Sequence, residues 1–200
     1  VLWVGLTGGI ASGKSTVAEI LKRMGIEVVS ADHLSHLAMG PNTTGAKQIR
    51  EQFGSEVFDE GDIVNRMRLG AVVFSDTTGR KKELLENILH PEVRRLAQIE
   101  RERLTNRGDQ VAFYEIPLLF EKNLKSQFDR VLCIAVDPSL QIQRLMERAN
   151  LTEHEAKARI QAQLPQETKI KGADFVIWNR GNIADLKKEA KAVLDQLMRP

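Results

Sequence analysis

The chain of 200 residues lacks the signals that would take it out of the ordinary globular class. Its single cysteine, Cys133, lies in the apolar run Val131 to Val136, which excludes an intrachain disulfide and a cysteine-rich metal site and fits a reducing cytosol. No apolar run approaches the roughly 18 residues of a membrane helix, and Val1 to Gly13 has no basic stretch of the kind that opens a secretory leader. A soluble cytoplasmic protein with no membrane partner is expected. Charge of one sign is lacking too: 29 basic against 27 acidic residues give a net charge of +2. That is far from the concentrated basicity of a nucleic-acid binder, and it leaves acidic small molecules to local basic clusters. There is no internal repeat, low-complexity tract or flexible interdomain linker, and nothing that reports oligomeric state.

What is present is a sizeable core, with 42% hydrophobic and 28% charged residues. Apolar runs bounded by turn residues predict five strands, at Leu2 to Leu6, Ile26 to Val29, Val111 to Ile116, Val131 to Val136 and Phe175 to Trp178. Helical patterns alternate with them, so the expected fold is α/β, a three-layer sandwich around a five-stranded parallel sheet covered on both faces. Between the second and third runs lie about eighty residues with no convincing strand, too many for one crossover, and an inserted helical domain is expected there. Its last helix is expected to start at His90-Pro91, where proline tolerates the first helical position, and to stop before Gly108. A shorter insertion follows Val136. Pro138 opens a helix through Arg148, and Thr152 to Glu155 reads as a capping box for another that Pro165 interrupts. The expected division is a core of 1–32, 108–137 and 173–200, a helical domain of 33–107 and a lid of 138–172.

The strongest local signal is Gly8-Gly9-Ile10-Ala11-Ser12-Gly13-Lys14-Ser15, which matches G-x-x-x-x-G-K-[ST] between the first strand and an amphipathic helix. In such a phosphate-binding loop, or P-loop, glycines let backbone N–H groups approach phosphate oxygens at the positive end of a helix. Lys14 reaches the β/γ-phosphates and the Ser15 hydroxyl is placed to ligate Mg²⁺. Nucleoside triphosphate binding is expected. A GTP-binding switch is the competing class, since Val72 to Gly79 imitates a strand ending in D-x-x-G. No N-K-x-D motif follows, however, and Asp76 is better placed as the N-cap of a helix through Leu89, with Arg80, Lys81 and Lys82 in its first turn.

Asp32 follows the second strand at the edge where open α/β sheets bind ligands. It reads equally as a carboxylate facing an acceptor hydroxyl and as the N-cap of a helix beginning near His33. A metal site of Asp32, His33 and His36 has little support, because no other ligand pattern accompanies it. Arg144 and Arg148 project from one helical face, either over phosphates on a lid or as a solvated face beside Glu147. Asn179-Arg180-Gly181 either bounds an adenine pocket, with Trp178 as a fluorescent reporter beside it, or forms a simple turn. Asp32, Glu115 and Asp137 stand unranked as further metal ligands.

Together these residues resemble the dephospho-CoA kinases over nearly the whole chain. The resemblance rests on Leu6 to Thr16, Ala31-Asp32, Leu89-His90-Pro91, Pro117-Leu118-Leu119-Phe120-Glu121, Arg144 to Arg148 and Gln161-Ala162-Gln163, in that order and spacing. It implies Mg·ATP as phosphoryl donor and dephospho-CoA as acceptor, with the 3′-hydroxyl of its ribose phosphorylated in the last step of coenzyme A synthesis. It also implies that Gly9, Ile10, Ala11, Ser12, Gly13, Lys14, Ser15 and Thr16, with Arg148 and Asn179, bind ATP. Lys14, Asp32 and Arg144 become catalytic, and His90, Pro117, Leu118, Leu119 and Glu121 line the acceptor site. His90-Pro91 also has a purely architectural reading. Two positions depart from the pattern: Ala11 where many relatives have glycine, and Ala149 where many have an acidic residue. A nucleoside monophosphate kinase is the nearest alternative.

Overall fold

The computed structural model describes residues 1–199, which divide into two compact units: Val1–Val29 with the chain from Leu104 onward, and Ser30–Arg103. The first unit holds a five-stranded parallel sheet in the order β2-β5-β1-β6-β7. Its strands are β1 (Leu2–Gly8), β2 (Glu27–Ser30), β5 (Val111–Glu115), β6 (Arg130–Val136) and β7 (Phe175–Asn179). β1 pairs with β5 through Leu6 opposite Glu115 and with β6 through Gly8 opposite Ile134, so the end of the central strand carries the glycine-rich loop. The continuous apolarity of β1 and β6 follows from this position, because a central parallel strand is covered on both faces. Val4, Leu6, Val28, Val111, Phe113, Leu132, Ile134 and Ile177 form the sheet's share of the core. Helices α1 (Lys14–Arg23) and α9 (Ile183–Leu197) add Val17, Leu21, Leu186 and Leu194.

Cys133 lies in β6 with no exposed surface, and burial pushes its thiol up to about 11. After β6 come α6 (Pro138–Ala149), α7 (Glu153–Gln161) and α8 (Gln166–Gly172). Asp137 caps α6 and Pro138 occupies its first turn, and both bonds of the Thr152–Glu155 capping box open α7. No helix among the described residues is long and apolar enough to cross a membrane.

The second unit is built from α2 (Ala31–Ala38), α3 (Thr44–Phe53), α4 (Arg66–Phe74) and most of α5 (Arg80–Arg107) around Ile49, Phe53, Val57, Leu69, Val73 and Leu89. It departs from the sequence expectation in three places. A two-stranded hairpin of β3 (Phe58–Asp59) and β4 (Ile63–Val64) turns through Gly61 and Asp62, both at positive φ. Two-residue strands are too short to show a period. The two helices expected to meet at His90-Pro91 are one, α5, with Pro91 inside it. An interior proline costs about 3 kcal/mol, but Leu85, Leu89, Val93 and Leu96 keep a helical spacing across it and pack on the core on both sides. Finally, the cap of α2 is Ser30, whose hydroxyl accepts the His33 N–H at 3.4 Å, and Asp32 sits in the first turn instead. Val72 to Phe74 are helical, so the D-x-x-G imitation lacks its strand. The Asp76 carboxylate accepts N–H groups of Thr78 and Lys81 at the start of α5; with the Thr78 hydroxyl foremost, these bonds bring it down to about 2.

Candidate active site

The loop from Gly9 to Gly13 joins the central strand to α1 in a conformation that few residues adopt. Ala11 has φ 57° and Gly13 φ 89°. Alternation of this kind turns successive N–H groups inward to form an anion-binding nest. A methyl at Ala11 makes that conformation costlier than glycine would, by about 1 kcal/mol. At Gly13 a side chain would also strike the amide of Asn179, so glycine is required there on two counts. No side chain caps α1 and no acidic residue sits in its first turn, which leaves the first N–H groups of a ten-residue helix to an external acceptor.

Around this nest the sheet edge supplies charge. Lys14 Nζ pairs with the Oε1 of Glu115 at the end of β5, and the Ser15 hydroxyl lies 3.4 Å from the same oxygen. A serine hydroxyl beside a carboxylate is a hard oxygen set of the kind Mg²⁺ takes when phosphates supply further ligands, so these residues fit that ion. Of the three carboxylates left unranked by sequence, Glu115 is the one adjacent to Ser15. Asp137 is committed to α6, its carboxyl held low by the hydroxyl and N–H of Ser139, and Asp32 belongs to the second unit. Among the described residues no three His, Cys, Asp or Glu side chains gather into a metal cluster.

Asn179 is 3% exposed, and both polar atoms of its side chain are hydrogen-bonded. Its Nδ2 donates to the Ser12 carbonyl at 2.8 Å, and its Oδ1 accepts the Gly181 N–H at 3.0 Å and Arg144 Nη2 at 3.2 Å. Asn179 therefore buttresses the P-loop through a turn, the second of the two readings of Asn179-Arg180-Gly181. The other guanidinium nitrogen, Arg144 Nη1, is buried with no hydrogen-bond partner, as is the Ser12 hydroxyl. Arg148, one turn further along α6, is exposed and unpaired among the described residues, and Glu147 accepts from Gln143 rather than from either arginine. Thr16 is exposed. Trp178 lies on the opposite side of β7 from Asn179, in a hollow of about 400 Å³ that Arg180, Asp185, Lys188 and Glu189 also line.

Pro117 to Glu121 divides in two. The Pro117 carbonyl accepts the Thr7 hydroxyl at 3.2 Å and Leu118 is exposed. Leu119 has no exposed surface and fills the space left by Gly5, so it packs on the central strand β1 rather than facing an acceptor. Glu121 Oε1 accepts the Leu164 N–H at 3.2 Å and stands 2.7 Å from Lys169 Nζ, a close contact not aligned as a hydrogen bond. Asp32 and His90, in the second unit, are exposed, and neither side chain has a partner among the described residues. Two residues with no role at the site assigned from sequence also reach the P-loop. Gln141 Nε2 donates to the Ile10 carbonyl at 2.7 Å, and Gln163 Oε1 accepts the Ile10 N–H at 3.0 Å.

The model of the dephospho-CoA kinase family matches residues 2–185. The chain belongs to that family. A curated dephospho-CoA kinase from Geobacillus kaustophilus is 42% identical over 195 residues, covering 98% of this chain and 96% of that one. Among solved structures, TT1252 from Thermus thermophilus superposes with a TM-score of 0.80 at 36% identity over 99% of this chain and 98% of that one. The dephospho-CoA kinase from Campylobacter jejuni gives 0.69 at 30% identity, covering 98% and 97%. The five-stranded α/β fold expected from the sequence is thus the fold of this family.

Proposed function

We propose that this chain transfers the γ-phosphoryl group of ATP to the ribose 3′-hydroxyl of dephospho-CoA, giving coenzyme A and ADP. Family membership carries the substrate. The observation that supports the chemistry is the buried, unpartnered Arg144 Nη1 beside a P-loop whose helix end has no cap. A buried guanidinium N–H group without an acceptor is costly, and a phosphate oxygen is the ligand that would relieve it.

In this reading the N–H groups of Ala11 to Thr16 hold the phosphate chain and Lys14 leaves Glu115 for the β/γ-oxygens. Ser15 and Glu115 would hold Mg²⁺, which supplies charge neutralisation across those oxygens when bound. The acceptor oxygen forms a bond to the γ-phosphorus as the bond to the β,γ-bridging oxygen breaks, and the hydroxyl proton passes to the Asp32 carboxylate. Charge on the equatorial oxygens grows in a loose transition state, so Lys14 and Arg144 contribute more than Asp32. Arg148 extends the lid's cationic face, with residues 138–172 as the lid. Pro117, Leu118 and His90 belong to the acceptor side. Asp32→Asn should lower kcat about 10²-fold, the lower part of the range for a positioned base.

ADP release measured against a panel of acceptors tests the proposal. Dephospho-CoA should stimulate it strongly and nucleoside monophosphates weakly. Stronger stimulation by a nucleoside monophosphate would make the chain a different small-molecule kinase.

A further inference from the structure

Both backbone polar groups of one P-loop residue, Ile10, are held by glutamine side chains from outside the loop. The Ile10 N–H donates to Gln163 and its carbonyl accepts from Gln141, which is 5% exposed in α6. A third glutamine makes the same two-ended contact one strand away: Gln166 Oε1 accepts the Val136 N–H and its Nε2 donates to the Val136 carbonyl, both at 2.9 Å. The segment carrying Gln163 is itself fastened, through the Leu164 N–H, to Glu121. Gly9 leaves room for this arrangement, since a Cβ there would come within 2.9 Å of Gln141 Nε2.

We propose that Gln141 and Gln163 are positioning residues for ATP, acting through the backbone of Ile10. The two bonds hold the peptide planes on either side of Ile10, so neither plane can turn freely. With Ile10 fixed, the adjoining Ala11 is held in its left-handed conformation, and the N–H groups after it stay turned toward the phosphates before ATP arrives. Without the clamp the loop would relax toward conformations easier for alanine, and ATP would have to reorder it. The two glutamines play opposite parts: Gln163 must accept and Gln141 must donate. The inference rests on nucleotide binding at the P-loop, and it adds residues that touch no substrate atom.

That polarity gives the test. Equilibrium ATP affinity, KM and kcat are compared in Gln163→Met, Gln163→Glu, Gln141→Met and Gln141→Glu, with thermal midpoints alongside. Glutamate can still accept but, when ionised, cannot donate. Each methionine variant should weaken ATP binding about tenfold, close to one net hydrogen bond, with a smaller change in the acceptor's KM. Gln163→Glu should recover most of that loss, and Gln141→Glu should be the weakest binder. Both glutamates add the same charge near the loop, so their difference reads hydrogen-bond polarity. Equal losses in the two Gln163 variants, or folded methionine variants that bind ATP within threefold of the parent, would overturn the clamp while leaving the kinase reading intact. A parent chain that fails to bind ATP would overturn both.

Discussion

Every buried polar side chain among the described residues, Thr7, Ser12, Gln141, Lys169 and Asn179, belongs to the first unit. The second unit is packed by apolar side chains, and its charged groups pair at the surface, as Arg50 does with Asp62 and Arg95 with Glu92. The second unit also exposes large apolar residues outright, Met67 and Phe74 foremost. Burying a polar group without a complete set of hydrogen bonds costs roughly 1–3 kcal/mol, and Ser12 Oγ, Arg144 Nη1 and Lys169 Nζ are each buried without one, so the first unit's polar cluster is poor stability design. It is good site design, because the same desolvation strengthens every interaction with a charged ligand. Substitutions in the first unit's polar cluster should therefore change activity steeply, and comparable changes among the second unit's surface pairs should change little.

The largest expected effect is Lys14→Ala. It should lower turnover on the order of 10³-fold while far-UV circular dichroism stays near the parent's; near-normal turnover would remove the P-loop from the chemistry. Next comes Lys169→Met, which leaves Glu121 without its buried counter-charge and should cost about 3–5 kcal/mol in urea unfolding. Adding Glu121→Leu should recover much of that loss, and a single variant within about 1 kcal/mol of the parent would show the pair to be dispensable. Cys133 gives a smaller effect with a definite pH window. Its folded-state value is raised from 9.0 to about 11, so the folded chain keeps the proton that the unfolded chain releases. The associated stability is intact below pH 9 and is lost as pH rises toward 11, amounting to about 2–3 kcal/mol. The urea midpoint should fall over that range, and fall less in Cys133→Ala. The smallest effect is Arg95→Ala in the second unit, expected within about 1 kcal/mol because its partner lies across an exposed helical turn. A larger loss there would weaken the contrast between the units.

The same contrast governs what could be read from sequence. Central parallel strands are apolar without interruption, and the P-loop states its chemistry within eight residues, so the sheet and the phosphate site were legible. Arg144 was singled out by its spacing, but the bond to Asn179 that fixes it joins residues 35 positions apart. Gln141 and Gln163 reach Ile10 across 131 and 153 positions, and uncharged amides leave no periodic trace; Gln163 entered only as part of a resemblance. In the second unit the errors were local. Ser30 takes the cap that was one of the two equal readings of Asp32, because a serine one residue before the first helical position competes on equal terms. Pro91 was read as a boundary because local rules give no weight to the packing on both sides of it.

The claim that the buried cluster acts on developing charge is tested most directly by the steady-state kinetics of Arg144→Ala with ATP and dephospho-CoA both varied. An interaction made only with the transferring group should appear in kcat, which is expected to fall at least 10³-fold. The KM for dephospho-CoA should stay within about threefold of the parent's, since ground-state binding does not use this arginine. A raised KM for either substrate with kcat intact would contradict the account and make Arg144 a ground-state binding residue.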